Sequence, residues 1–229
     1  MKEYDTIKKV SFEIRKDIFD MFARKNGAEA AASEKKKEAP KYTWQQNVTL
    51  YLHDIVYMLV VVMLLLMLFF RIIVVDGPSM ENTLLNGDYM LLISNLFYQE
   101  PTPGDVVVVS KQAYDHGKPI VKRVIATEGQ EVDIDFEAGI VYVDGVPLDE
   151  PYTKTLTTLK EGNSFPQTVE PGNVFIMGDN RNNSKDSRST QIGQVDKREV
   201  LGKVIFLLFP GTGMGGTQER DFHRIGAVQ

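Results

Sequence analysis

Ile140-Val141-Tyr142-Val143-Asp144-Gly145-Val146-Pro147-Leu148 is the stretch of this sequence that most clearly specifies a fold. An Asp-Gly pair between runs of β-branched and aromatic residues favours a two-residue hairpin turn, because both positions tolerate the positive φ that such turns need. Turn-forming pairs separate further runs of this type, at residues 106–109, 121–125, 173–177 and 204–208. No long amphipathic helix interrupts these runs, so the sequence predicts a mainly β chain with an antiparallel, barrel-like β-domain.

A long apolar run precedes this β-rich part. Residues 55–70 contain no charged side chain, and extension to residue 75 gives about 20 residues, roughly one bilayer crossing. The run is apolar on all sides, whereas the buried core helix that is its alternative usually keeps a polar face. A cleavable signal peptide is disfavoured, because the run starts far from the N-terminus and no small-x-small site follows it. We therefore predict one transmembrane helix.

The flanks of the run predict its orientation. The four lysines nearest before it stand at positions 35, 36, 37 and 41, whereas the first basic residue after Arg71 is Lys111. Because lysine-rich flanks stay cytoplasmic, the chain is predicted to be a single-pass protein with a cytoplasmic N-terminus. The predicted parts are a cytoplasmic segment at 1–48, a transmembrane anchor at 49–74 and an extracytoplasmic β-rich catalytic domain at 75–229.

The predicted cytoplasmic segment divides further. Residues 10–25 show apolar side chains at helical spacing, which indicates either a helix on the inner membrane surface or an ordinary solvated helix. Residues 27–41 are rich in Ala, Glu and Lys, a composition typical of a flexible linker.

Composition excludes several classes of function. The net charge of −5 provides no basic field for a polynucleotide, so no nucleic-acid partner is expected. The absence of cysteine excludes disulfides, thiolate catalysis and cysteine-ligated zinc. A calcium loop at 179–190 is also disfavoured, because Arg181, Ser184 and Thr190 occupy positions three, six and twelve. No metal or organic cofactor is implied, and the sequence does not specify an oligomeric state.

Ser79, in Asp76-Gly77-Pro78-Ser79-Met80, lies just after the apolar run and is a candidate nucleophile. A serine hydroxyl needs a neighbouring base to accept its proton. The three histidines, at positions 53, 116 and 223, lie at the membrane run, in a loop and in the charged C-terminal part, so a Ser-His-Asp triad is the less favoured alternative.

Lys122 is the other candidate base. Alternation along a strand places Ile120, Lys122 and Val124 on one face, where aliphatic neighbours desolvate the ammonium and lower its pKa. The alternative from periodicity alone is an edge-strand lysine whose head reaches solvent.

Four segments, in this order, resemble the boxes of bacterial type I signal peptidases, which are membrane-anchored serine-lysine proteases. The segments are Pro78-Ser79-Met80-Glu81-Asn82-Thr83-Leu84, Gly104-Asp105-Val106-Val107, Lys122-Arg123-Val124-Ile125 and the loop from Gly178 to Arg188. Two departures from the family pattern, at Asn82 and at residues 126–130, concern local turns. The resemblance implies a bacterial plasma-membrane enzyme that removes signal peptides from exported preproteins.

The resemblance also implies roles for individual residues. Ser79 is the expected nucleophile and Lys122 the general base, with Ser184 orienting the lysine and Asp186 and Arg188 forming a supporting ion pair. The main oxyanion donor is expected to be the backbone N–H of Ser79. Some family members add a serine hydroxyl two positions earlier, where this chain has Gly77.

Signal peptidases accept small side chains, chiefly alanine, one and three positions before the cut, which requires shallow apolar pockets. The expected lining consists of Val75, Leu84, Ile120 and Val121, with plain core packing as the alternative for each. Two other functions stay open at this stage: a serine-lysine protease for a narrow set of surface proteins, and a non-catalytic membrane-tethered β-domain that binds peptides.

Overall fold

The structure is a computed structural model that describes residues 43–216 and 219–228. The predicted amphipathic helix at 10–25 and the predicted linker at 27–41 lie outside these residues. The chain divides into two compact units, one ending at Tyr57 and the other beginning at Met58. The fold of the second unit positions the candidate site.

One α-helix, α1, spans Trp44–Phe69. Thr43 and Gln46 cap its start reciprocally, because Thr43 N donates to Gln46 Oε1 at 2.9 Å and Gln46 N donates to Thr43 Oγ1 at 3.4 Å. Its 26 residues span about 39 Å at a rise of 1.5 Å per residue. Among the described residues, α1 is the one helix that is long and apolar enough to cross a membrane.

The rest of the described chain is built mainly from short strands. The strands are β1 (Phe70–Val74), β2 (Tyr89–Ser94), β3 (Val106–Val109), β4 (Ile120–Thr127), β5 (Glu131–Asp135), β6 (Ile140–Val143), β7 (Val146–Pro147), β8 (Gln167–Thr168), β9 (Asn173–Met177), β10 (Val195–Asp196), β11 (Val200–Phe209) and β12 (Gly226–Ala227). Short 3-10 helices connect some of them, at Asp115–Gly117, Arg181–Asn183, Lys197–Glu199, Met214–Gly216 and Phe222–Arg224.

The strands form two antiparallel sheets. The larger sheet has the order β1-β2-β11-β3-β4-β9-β10, with β12 also paired to β11, and the smaller has the order β7-β6-β5-β8. The predicted hairpin is confirmed, because Val143 pairs with Val146 and both Asp144 and Gly145 have positive φ, at 53° and 75°. The mainly β, antiparallel fold is therefore confirmed, as an open sheet with β1 and β10 at its ends.

The apolar run is shared between a helix and a strand. Residues 70–74, which the sequence analysis placed in the anchor, form β1 and pair with β2 from Phe70 opposite Ile93 to Val74 opposite Tyr89. Apolar composition alone does not distinguish a membrane helix from a β-branched strand, and the pairing with β2 decides between them.

Three clusters of buried apolar side chains support the site. One contains Val75, Met80 and Leu84, and so anchors both sides of Ser79 in the core. Strand β4 runs between β3 and β9 in the large sheet. This order brings Lys122 opposite Val107 on β3 and Arg123 opposite Met177 at the end of β9. The β4 segment and the polar loop after β9 are therefore adjacent.

Candidate active site

Ser79 lies in the loop that connects β1, which ends at Val74, to β2, which begins at Tyr89. The Gly77 N–H donates to Asn86 Oδ1 at 2.8 Å and closes the connection, while Leu84 N donates to Met80 O at 2.8 Å. Met80 and Leu84 are 1% and 0% exposed, so the chain on the C-terminal side of Ser79 is fixed in the core. The Ser79 side chain itself remains partly accessible.

Lys122 contacts Ser79 directly. Its Nζ donates to Ser79 Oγ at 2.8 Å and to the Val121 carbonyl at 2.9 Å. Lys122 is only 3% exposed, on a strand that has neighbours on both sides, so the alternative of a solvated edge-strand lysine is wrong. Burial lowers the pKa of Lys122 to about 8, against the opposing charges of Asp186 and Asp179.

The histidines are placed elsewhere. His116 and His223, which belong to the same unit as Ser79, are both exposed. Two cavities, described below, lie beside Ser79, and neither histidine lines them. His53 is an exposed residue of α1. Among the described residues, the titratable side chain in hydrogen-bond contact with Ser79 is therefore Lys122 rather than a histidine.

Arg123 and Asp179 form a buried bidentate ion pair next to this dyad. Arg123 Nε donates to Asp179 Oδ1 at 2.9 Å and Nη2 donates to Oδ2 at 2.8 Å, with exposures of 1% and 0%. The Thr83 hydroxyl donates to the same carboxylate, and Arg123 Nη1 donates to Gly104 O at 2.8 Å. Four segments that are distant in sequence thus converge on one ion pair.

Asp186 and Arg188 form the ion pair that the sequence analysis predicted. Arg188 Nε and Nη2 donate to Asp186 Oδ1 and Oδ2, each at 2.8 Å, and both residues are fully buried. Burial alone raises the pKa of Asp186, but the Arg188 guanidinium, the Gly178 N–H and the Ser184 hydroxyl outweigh it and hold the pKa below its ordinary value. The carboxylate therefore stays charged.

Ser184 lines the cavity that also contains Ser79 and Lys122. Its hydroxyl donates to Asp186 Oδ2 at 2.8 Å. The predicted hydrogen bond with Lys122 is not found among the described residues, where Lys122 Nζ donates to Ser79 Oγ and to the Val121 carbonyl instead. The Ser184 lone pairs can still accept a hydrogen bond.

Gly178 and Asn180 were not singled out from the sequence, although both lie in the matched loop. A side-chain carbon at Gly178 would overlap Ser184 Oγ and Ser79 O, so only glycine permits this approach. Asn180 N donates to Ser79 O at 3.0 Å and Asn180 Nδ2 donates to Pro78 O at 3.1 Å. These contacts fix the backbone at Pro78 and Ser79, and they are visible only in the folded chain.

Two cavities meet at Ser79 and Lys122. The apolar cavity has a volume of about 240 Å³, and three of the four predicted pocket residues line it, namely Val75, Ile120 and Val121. Leu84 does not line this cavity and is 0% exposed. The alternative of plain core packing therefore applies to Leu84.

The second, polar cavity has a volume of about 480 Å³. Besides Ser79, Lys122 and Ser184, it is lined mainly by charged and amide side chains, including Asp115, Lys118, Glu161, Asn182, Asn183 and Lys185. Within the described ranges, no group of three or more His, Asp or Glu residues is arranged to hold a metal ion.

A model of the family described as signal peptidase, peptidase S26, matches residues 48–209. The chain belongs to this family. A probable signal peptidase I-1 of Synechocystis sp. is 36% identical over 148 residues, which cover 62% of this chain and 72% of the relative. Signal peptidase I of Bacillus licheniformis is 31% identical over 145 residues, 60% of this chain and 75% of the relative.

A solved structure of a signal peptidase I from Enterococcus faecalis V583 is also similar to this chain. It is 28% identical, with a TM-score of 0.37, and the match covers 45% of this chain and 96% of that one. The length and apolar composition of α1, in a chain of this family, indicate a membrane anchor.

We expect the Arg123→Met variant of this signal peptidase to lose about 3–5 kcal/mol of unfolding free energy, because Asp179 then keeps a buried charge without its cation. Urea denaturation in detergent, followed by far-ultraviolet circular dichroism, measures the loss. Arg198→Met is the matched control, because Arg198 pairs with Asp196 but is fully solvated, and its unfolding free energy should stay nearly unchanged. Equal losses in both variants would contradict the assigned importance of the buried pair.

Proposed function

We propose that this chain removes signal peptides from exported preproteins, with Ser79 as nucleophile and neutral Lys122 as general base. The observation that carries the proposal is the 2.8 Å contact between Lys122 Nζ and Ser79 Oγ, formed by a lysine that is 3% exposed. Membership of the signal peptidase family supports the reaction, and the contact supports the assignment of the two residues.

Acylation begins when neutral Lys122 accepts the Ser79 hydroxyl proton along this contact. Ser79 Oγ then bonds to the scissile carbonyl carbon, and the carbon–nitrogen bond breaks as Lys122 gives the proton to the leaving nitrogen. In deacylation, Lys122 takes a proton from a water molecule that attacks the ester. The ester bond breaks, the signal peptide leaves as a carboxylic acid, and the proton returns to Ser79.

The backbone N–H of Ser79 is the proposed oxyanion donor. Among the described residues it donates no hydrogen bond, whereas the Gly77 N–H is already bound to Asn86. Gly77 has a φ of 105°, a conformation that favours glycine, and no heavy atom lies within 4 Å of a side-chain carbon placed there. A second donor is therefore not supplied by a side chain at this position.

Ser184, Asp186 and Arg188 are proposed to position the base. Arg188 fixes both Asp186 oxygens, and Asp186 holds the Ser184 proton, so Ser184 presents only lone pairs to the cavity. Lone pairs accept a hydrogen bond from Lys122 once it has taken the Ser79 proton and become an ammonium. Ser184 thereby favours the charged lysine formed during acylation.

The apolar cavity is the proposed site for small side chains before the cut. A volume of about 240 Å³ and a lining that includes Val75, Ile120 and Val121 suit alanine-sized groups. Together with the family resemblance, this fit supports cleavage after an Ala-x-Ala sequence.

The proposed location is the bacterial plasma membrane, with the N-terminus in the cytoplasm and the β-domain outside. The lysines before α1 support this orientation, because positively charged flanks stay on the cytoplasmic side. The substrate, an exported preprotein whose signal peptide is still in the bilayer, is present on the same outer face.

Ser79→Ala should abolish cleavage of a preprotein with an Ala-x-Ala site, because no other atom then forms the acyl bond. Cleavage in detergent, followed by gel mobility and product mass, measures the effect. Ser164→Ala is the matched control, since Ser164 is exposed in a loop outside both cavities, and it should cleave at the parental rate. Full activity of a folded Ser79→Ala protein would refute the assigned nucleophile, whereas an inactive but folded parent would favour a narrower protease or a peptide-binding domain.

The value of kcat/KM should rise with pH through about 8, because only neutral Lys122 accepts the Ser79 proton and burial lowers its pKa to about 8. The neutral fraction is about one tenth at pH 7 and about nine tenths at pH 9. Initial rates at low substrate concentration between pH 6 and 10 measure the profile. A rate that is flat or falls between pH 7 and 9 would rule out a neutral lysine of this pKa as the base.

The orientation can be tested because the chain contains no cysteine. A membrane-impermeant maleimide added to intact cells should label a Ser164→Cys variant and spare a Ser33→Cys variant. Permeabilised cells provide the control, in which both variants should react. Labelling of position 33 alone in intact cells would reverse the proposed orientation.

A further inference from the structure

Glu161 is a buried carboxylate in the polar cavity that the mechanism above does not use. Its side chain is 4% exposed, and Oε1 lies 3.2 Å from Lys185 Nζ. Oε2 is enclosed and has no hydrogen-bond partner among the described residues. Buried carboxylate oxygens are normally paired, since an unpaired one loses its water without replacement.

The position of Glu161 relative to the dyad limits what can serve as its partner. Glu161, Ser79 and Lys122 line the same cavity, so a group that enters from the reacting bond reaches the wall to which Glu161 belongs. A carboxylate only accepts hydrogen bonds, which requires that the entering group carry N–H or O–H donors.

The proposed function assigns the two cavities, which share Ser79 and Lys122, to the two sides of the scissile bond. The apolar cavity suits the small side chains before the cut, so the polar cavity, on whose wall Ser79 and Lys122 also lie, takes the chain after the cut. That chain begins with the nitrogen to which Lys122 gives its proton. When the carbon–nitrogen bond has broken, this nitrogen is a primary amine, and it becomes an ammonium by taking one further proton from water.

We propose that Glu161 binds the α-ammonium group of the newly formed N-terminus by turning the oxygen that Lys185 leaves free, which is enclosed in the unbound protein, toward the polar cavity. This inference rests on the proposed function and extends it to the leaving side of the substrate. The ammonium supplies up to three donors to an oxygen that has none, and the charge-assisted bond is strong because the carboxylate is screened from solvent.

The charges around Glu161 fit this role. Lys185 occupies Oε1 and is about half exposed, so it neutralises the carboxylate only from the solvent side. Lys122, on the same cavity wall, loses its positive charge when it protonates the leaving nitrogen. The competing cation near Glu161 has therefore disappeared before the new amine takes its further proton and becomes an ammonium.

Direct binding of product-like peptides to the full-length protein in detergent tests the inference. The probe is a short peptide of small residues with a dye at its C-terminal end, prepared with a free and with an acetylated N-terminus, and fluorescence anisotropy at neutral pH gives the Kd. The free peptide should bind about tenfold more tightly, the ratio expected for one charge-assisted hydrogen bond. Equal affinities of the two peptides for the parent protein would overturn the proposal without any variant.

Glu161→Gln keeps the shape of the side chain and removes its charge, so it should abolish the preference for the free peptide. Lys185→Gln is the matched control, because it removes the other member of the ion pair, keeps the carboxylate and should retain the preference. An acetylated peptide with lysine at its first position distinguishes the α-ammonium from a side-chain ammonium, and it should bind no better than the acetylated parent peptide. A preference that persists in Glu161→Gln would also overturn the assignment.

The role of Glu161 is tested by peptide binding, whereas the proposed function is tested by cleavage. The two can therefore be refuted independently. Absence of Ser79-dependent cleavage would remove the proposed function whatever the peptides show. Normal cleavage with equal binding of free and acetylated peptides would leave the protease in place and remove the role of Glu161.

Discussion

The bidentate ion pair between Arg123 and Asp179 joins the parts of the chain on which the site is built. Arg123 is next to the lysine of the dyad, Asp179 begins the polar loop, and Thr83 ties the nucleophile segment to the same carboxylate. An ion pair in the protein interior contributes little net stability compared with an apolar pair, but its geometry is strict and its rupture is costly. We therefore expect the main effect of this ion pair to be structural: it fixes the positions of the separate segments relative to one another.

Burial has opposite consequences for the two charged centres of the site. Lys122 is buried without a carboxylate in direct contact, so desolvation lowers its pKa and favours the neutral base. Asp186 is equally buried, but Arg188 and neighbouring donors keep it ionised. The fold thus makes part of Lys122 neutral near pH 7 beside a carboxylate that stays charged, and hydrogen-bond partners rather than depth in the core decide this difference.

The sequence predicted those features that depend on residues close together along the chain. The Asp144-Gly145 hairpin and the aliphatic neighbours of Lys122 were evident from composition and alternation. The end of α1 was not evident from the sequence, because the apolar residues that form β1 have the composition of a membrane helix. The hydroxyl partner of Ser184, the core position of Leu84 and the enclosed Glu161 depend on segments that meet only in the folded chain.

The absence of a linker between anchor and sheet has a geometric consequence. α1 ends at Phe69 and β1 starts at Phe70, and Ser79 follows ten residues after the helix end. Even a fully extended chain of that length reaches only about 35 Å. If Ser79 is the nucleophile, as proposed, this short connection limits how far from the end of α1 a scissile bond can lie and still reach it.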